Sequence, residues 1–484
     1  MKILSKIAHR LVHMKYHKKN IRPILLYVAS FTEAPLIGIL ANQLIQKQES
    51  IIILLSEENK SLKARIKSFI TSEKVQFIYS NNGYSCESFT KKDEIFFEKI
   101  KQKYITYNLD FNTLKALYCS QRMELIRSKS IIKQYSPKLL IVAEDGVSAN
   151  APLINAALEF KIPVLDVPYG YGSKLDLENA LEQKQRNEEL YNSESGAGLV
   201  VKEFYPQWVK KGAFEGSILL NPYFILAREE LGISVSNPWT VHGGYATRLA
   251  AESKSMYAHY LNEGINANKI ILTGTPYCDY LKAFIDCSKS IHNSAKKKNN
   301  RRSMLVCWPP SYHAERAHLC DFDSYQELTA SVFNFLSKLE DITITLSLHP
   351  AVQTEFKSFV AGLNLNISEE YILNELPRHD IYISCFSSTI RWAIALGKPV
   401  VNYDFYKFNI NEYKEVSSVL HVNEQNSFEQ IVGRLINDDD YYEEVCSNQK
   451  KIAADWGVLD GSNINRIHAL INQLTINEDV AALS

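Results

Sequence analysis

The side chains best suited to chemistry in this chain sit where hydrophobic runs stop. In LLIVAEDGVSANAPL, residues 139–153, an apolar run ends in Glu144, Asp145 and Gly146. A carboxylate at such a place can take a proton from an attacking hydroxyl once one of its oxygens comes within hydrogen-bond reach. The plainer alternative is that Asp145 caps the helix read from SANAPLINAALEF, with Gly146 relieving the turn. LSLHP ends a second run in His349 and Pro350. A histidine fixed there by proline can donate to a phosphate or protonate a leaving group near neutral pH, or simply bond a neighbouring loop. ISCFSSTIRWAIALGKPVV passes from a third run into a helix through Ser387, Ser388 and Thr389. Hydroxyls and free N–H groups at that junction suit an anion, and a serine N-cap is compatible with it. WPPSYHAER adds Ser311, Tyr312 and His313 as phosphate or sugar contacts. NPWTVHGGYATRLAAESKSMYAHYL adds His242, Gly243, Gly244 and Thr247, as cleft residues or as shapers of a loop.

Other chemistries lack their signatures. There is no GxGxxG after a first strand, no GxxxxGK[ST] and no GxSxG, which removes support for dinucleotide binding, a P-loop and a hydrolase elbow. Asp321-Phe322-Asp323 has the spacing of a chelating DxD but follows AHLC rather than a long buried strand, so no metal site is expected. The eight cysteines are scattered without CxxC or a nearby histidine and read as small buried hydrophobes of a reducing compartment.

The elements that must position these residues alternate short Val/Ile/Leu runs with longer helical stretches. Strands are predicted at 21–30, 50–56, 75–80, 138–145, 161–169, 268–274, 303–310, 342–350, 380–388 and 398–404. Near-continuous apolar runs fit strands buried on both faces of a parallel sheet, so the fold class is α/β. At 484 residues the chain exceeds what one core sustains, and two domains of roughly 200 residues are expected. The polar, basic texture of KSIHNSAKKKNNRRS places a linker at 286–302, between an α/β domain at 23–285 and a second at 303–455; residues 456–484 read as a helical tail.

With 54 basic and 54 acidic residues the net charge is zero, so no global attraction to nucleic acid is expected. Residues 1–22 carry Lys2, Lys6, Arg10, Lys15, Lys18, Lys19 and Arg22 without one acid, and Ile3, Ile7 and Leu11 recur at helical spacing. Such a segment can lie on an anionic membrane or remain a solvated helix. No run approaches the roughly 18 apolar residues of a spanning helix, so a cytoplasmic location is expected, with a peripheral seat on the inner membrane face allowed.

Two α/β domains with strand-end EDG, HP and SS motifs in that order resemble the GT-B glycosyltransferases. The resemblance is closest to bacterial sialyltransferases and the related Kdo and capsule transferases that use CMP-activated sugars. It implies two Rossmann-like domains facing across a cleft, Asp145 as acceptor base with Glu144 beside it, and His349 as acid or phosphate contact. On the donor side it places Pro350, Ser387, Ser388, Thr389, Ser311, Tyr312 and Gly274; on the acceptor side, Gly146, Tyr169 and His242. The partners implied are a nucleotide sugar and a glycan or lipid-linked oligosaccharide, without metal or further cofactor. Loss of Asp145 is then expected to stop turnover with little effect on folding, and a retaining reaction would make Asp166 in VLDVPYG a candidate nucleophile. GINANKIILTGTPYCDYL and the segment around the serines also resemble the UDP-GlcNAc 2-epimerase-like and CDP-glycerol transferase groups, which leaves a UDP-sugar enzyme as the alternative. Where many relatives have a glutamate soon after the serine pair, this chain has Arg391 and Trp392. Tyr169, Tyr171, Tyr205 and Trp208 are aromatic faces expected near the acceptor side or in the core. A non-catalytic scaffold of a polysaccharide assembly complex is the remaining alternative.

Overall fold

The computed structural model describes residues 22–80, 90–172, 174–292, 302–349, 352, 354–362, 365–409 and 413–481. The basic segment 1–21 and Pro350 therefore lie outside the described residues. In the first half the strands are β1 (Ile24–Val28), β2 (Ile51–Leu55), β3 (Gln76–Tyr79), β4 (Leu139–Val142), β5 (Val164–Asp166), β6 (Tyr191–Asn192), β7 (Ser217–Ile218), β8 (Arg248–Ala251) and β9 (Ile270–Leu272). In the second they are β10 (Arg302–Trp308), β11 (Ile342–Leu348), β12 (Asn366–Ser368), β13 (Ile381–Ser384), β14 (Val400–Tyr403) and β15 (Val419–Val422).

These strands build two parallel sheets, one of seven strands in the order β3-β2-β1-β4-β5-β8-β9 and one of six in the order β12-β11-β10-β13-β14-β15. Every residue of β1, β2, β4 and β5 is buried, as their uninterrupted apolar runs require of strands covered on both faces. Each sheet starts at an interior strand and grows outward in both directions, so its order reverses between β1 and β4 and between β10 and β13. Ligands of open α/β sheets collect outside the strand ends at such reversals. The segments that leave β1, β4, β10 and β13 are therefore where function is to be sought.

The expected linker is partly helix: Pro276–His292 runs through its first seven residues, and 293–301 lie outside the described residues. The C-terminal helix Asn463–Ala481 returns to the first half of the chain, where Ile464, Ile467, Leu470 and Ile471 join one core with Leu36, Leu40 and Ile141. Its start is held by Asp279, whose carboxylate accepts from Asn463 N at 3.1 Å and Ile464 N at 2.7 Å. Leu305, Tyr382, Val400 and Trp392 belong to the same core, so continuous apolar packing links the two sheets.

Between β5 and β8 the antiparallel pair β6–β7 and the helices Gly196–Phe204 and Pro222–Glu230 close a separate small core with Phe97, Tyr104 and Leu114. Trp208 is wholly buried in it and its indole N–H donates to Glu229, while the Tyr205 hydroxyl donates to Glu230 at 2.7 Å. Neither ring is a free sugar platform. No described helix is long and apolar enough to cross a membrane.

A candidate active site at the ends of two sheets

At the end of β4 the chain turns through Glu144, Asp145 and Gly146 against the loop that carries His242, Gly243 and Gly244. The two loops interlock because glycines face backbone: a Cβ on Gly146 would stand 2.2 Å from the Val241 carbonyl oxygen, and one on Gly244 would stand 1.8 Å from that of Asp145. Asp145 fastens the joint. Its buried carboxylate accepts from Gly244 N at 3.2 Å, from Ala246 N at 2.8 Å and from the Lys269 ammonium at 2.6 Å. Lys269 also donates to the carbonyls of His242 and Gly244. Three donors and a wholly buried side chain leave Asp145 without access to an acceptor hydroxyl, contrary to the role expected of it from sequence. It caps no helix either, since Asn150 accepts from Leu153 N at the start of Ala151–Glu159.

Glu144 is the neighbour left open. It is half-buried and has no hydrogen-bond partner among the described residues. Burial pushes its pKa up to about 7, with Asp166, Glu33 and Asp145 adding negative charge and His242 opposing them. Glu33 follows β1, across the sheet's reversal point from Glu144, and its carboxylate accepts from Ala29 N and the Ser30 hydroxyl. Asp166, at the end of β5 and fully buried, meets His242 Nδ1 at 2.7 Å. Burial works against the imidazolium, yet Asp166, with Asp145 and Glu144 nearby, raises the His242 pKa above its ordinary value. His242 is 3% exposed and packs edge-on against Tyr260, so it meets Asp166 and the cluster around it rather than an acceptor. The same burial bars Asp166 from attack on a sugar. Tyr169 is half-buried, and burial, with the charge of Glu144 nearby, raises the pKa of its hydroxyl.

Asp145, Asp166 and His242 are the one grouping of metal-ligating side chains among the described residues, their ligand atoms lying within 4.8 Å of one another. The Lys269 ammonium already stands on Asp145, so a cation there would have to displace it.

The end of the second sheet is built differently. His349 follows β11 and Ser387 follows β13, the strands on either side of β10, whose axes ordinary spacing sets roughly 10 Å apart. His349 N donates to Trp308 O at 3.0 Å, and its ring is exposed at the rim; the protein around it disfavours the imidazolium and lowers its pKa. Ser387 Oγ lies 2.7 Å from Thr389 Oγ1, which also bonds the Tyr382 hydroxyl, while Ser388 is half-exposed with no hydrogen bond among the described residues. Phe386 takes a positive φ of 41°, held by Asn402, which accepts its N–H at 2.8 Å.

Other expected donor contacts have structural work instead. Tyr312 packs edge-on against Tyr406 and Phe408, and Ser311 Oγ accepts from His313 N at 3.3 Å. The His313 ring bonds the Tyr406 hydroxyl and Phe322 O. Gly274 adopts φ +79°, and a Cβ there would overlap Asn463 at 1.6 Å, so the glycine is accounted for by the docking of the C-terminal helix. Thr247 Oγ1 accepts from Val164 N.

Sequence reading missed Glu33, Lys269 and Glu252. Glu33 could have been found as the strand-end carboxylate of SFTEAP. Lys269 and Glu252 have no local signal, since each acquires its partner only in the fold.

No protein-family model matches the chain, and no curated protein matches it in sequence. Solved structures do match in fold. The UDP-GlcNAc 2-epimerase of Neisseria meningitidis, bound to UDP-GlcNAc, superposes with a TM-score of 0.51 at 16% identity over 93% of this chain and 99% of that one. The kitacinnamycin glycotransferase gives 0.51 at 10% identity over 94% and 99%. The calicheamicin glycosyltransferase CalG4 gives 0.50 at 10% identity over 94% and 98%. With both parallel sheets and a likeness that spans nearly the whole chain, the fold is the GT-B arrangement of two Rossmann-like domains.

Proposed function

We propose that the protein is a glycosyltransferase that moves a sugar from a nucleotide-linked donor to a hydroxyl of a glycan or lipid-linked oligosaccharide. The observation that carries this reading is Glu144, a half-buried carboxyl with pKa about 7 at the reversal point of the first sheet. A base poised near the working pH is the arrangement general base catalysis favours. In the proposed step the acceptor oxygen bonds the anomeric carbon, its proton passes to Glu144, and the bond from that carbon to the donor phosphate oxygen breaks. His349, Ser387 and Ser388 receive the charge that develops on the departing nucleotide. Asp145, Lys269 and the interlocked glycines hold Glu144 in place.

For the donor, the solved neighbours favour the UDP-sugar alternative over a CMP-linked ulosonic acid, since they include an enzyme bound to UDP-GlcNAc and another solved with UDP. The order of EDG, HP and SS along the chain is what supports the CMP reading. Thermal stabilisation by UDP, CMP, CDP and their sugar conjugates decides between them, because a ligand that binds only the folded state raises the melting temperature. UDP and UDP-sugars are expected to stabilise most; a selective response to CMP would move the donor to the sialic acid and Kdo class. Product analysis separates transfer from 2-epimerisation, in which the sugar stays on the nucleotide. No response to any nucleotide, with no turnover, would overturn the enzymatic reading in favour of a scaffold.

A further inference from the structure

The two halves of the candidate site are joined by a buried ion pair. Glu252 follows β8 of the first sheet, and Arg391 lies in the helix Ile390–Ala395, four residues beyond Ser387 in the second. Arg391 Nε stands 2.8 Å from Glu252 Oε1, with the side chains 0% and 4% exposed. The contact is an ion pair rather than an aligned hydrogen bond, and no nitrogen of the guanidinium and no oxygen of the carboxylate has a hydrogen-bond partner among the described residues. Tyr260 and Trp392, beside the pair, also bury a polar atom without a partner. A half-satisfied buried ion pair contributes little to stability and is often matched or bettered by apolar replacement. Its presence in this place calls for another cause.

The cause lies in what surrounds it. The two sheets share a continuous apolar core, and apolar burial is non-directional, so it holds the halves together without fixing their offset. A buried ion pair resists a change of offset, because its attraction falls as the charges separate and neither charge has another partner to turn to. Glu252 reaches His242 electrostatically on one side, and Arg391 continues directly from the serine segment on the other. We propose that Glu252 and Arg391 are positioning residues that set the register of the acceptor-side carboxylates against the donor-side serines. Only the turnover arm of the test below rests on the function proposed above.

The test compares Glu252→Leu, Arg391→Met and the two combined, by melting temperature, by amide hydrogen exchange of segments 249–256 and 384–395, and by turnover. Each single variant leaves a lone buried polar or charged partner, so a lower melting temperature and at least tenfold faster exchange in both segments are expected. The double variant should recover the melting temperature but keep the faster exchange, with turnover at least tenfold below wild type and kcat falling more than KM. A double variant with wild-type exchange and wild-type turnover would overturn the proposal, because the pair would then be dispensable for register. Single variants whose exchange is unchanged in both segments, or uniformly faster across both sheets, would overturn it as well. If the wild type turns over no nucleotide sugar, the functional reading fails while the exchange comparison still decides the role of the pair.

Discussion

The ends of the two sheets solve opposite problems. The first is charged and, Glu144 apart, buried and closed on itself: Asp145 satisfies three donors, Asp166 engages His242, and glycines let two loops interlock at backbone distance. The second is neutral and open, offering the exposed His349 ring and the half-exposed Ser388 hydroxyl to whatever enters. Under the proposed function this contrast has a use: a base must be held still and partly desolvated to keep its pKa near 7, and a donor site must release its product, which suits an imidazole and a hydroxyl that keep a face to water.

Substitutions can break this contrast in order of expected effect. Asp145→Asn presents an amide, with one acceptor and two donors, to the three donors that converge on the carboxylate, and strips Lys269 of its counter-charge. Breaking a buried pair costs about 3 kcal/mol or more, so denaturant melts should show a large loss of stability, in place of the intact fold expected from sequence. Gly244→Ala should cost roughly 2 kcal/mol in the same measurement, because the new Cβ meets the backbone of Asp145. On the open side Ser388→Ala should leave the melt unchanged and raise the donor KM about tenfold, the worth of one hydrogen bond to a charged group. Equal destabilisation by Asp145→Asn and Ser388→Ala would erase the contrast.

A subtler effect sharpens it. The Glu144 pKa is raised on folding, so its favourable contribution is present below the ordinary carboxylate pKa and is lost as pH rises through about 7. Glu144→Gln is spared that loss. Melting temperatures of the variant and the wild type should agree near pH 4 and separate by a few degrees at pH 8, with the variant the more stable.

Much of this architecture was legible in the sequence, for a physical reason. Strands such as ILLYV and IIILL are buried on both faces and announce themselves as apolar runs, and the residues that follow them lie at the sheet ends by geometry alone. The strands with the weakest signal are less hydrophobic or short: RLAA of β8 opens on an arginine and has two alanines, and NIS of β12 and VLHV of β15 carry polar residues. EDG stood out as a candidate, but which of its carboxylates the fold closes off with hydrogen bonds was not legible. That choice depends on Lys269 and the loop at Gly244, more than ninety residues downstream, and a contact of such sequence distance leaves no local pattern. Arg391 was visible only as a departure from a familiar pattern; its partner Glu252 comes from the other sheet.

The most direct test of the account is the pH dependence of turnover of a UDP-sugar by the wild type and by Glu144→Gln. The account predicts a rate that rises through pH about 7 in the wild type and a loss of between about 100- and 10,000-fold in the variant, with its fold intact. Wild-type turnover in Glu144→Gln, with the same rising limb, would contradict it.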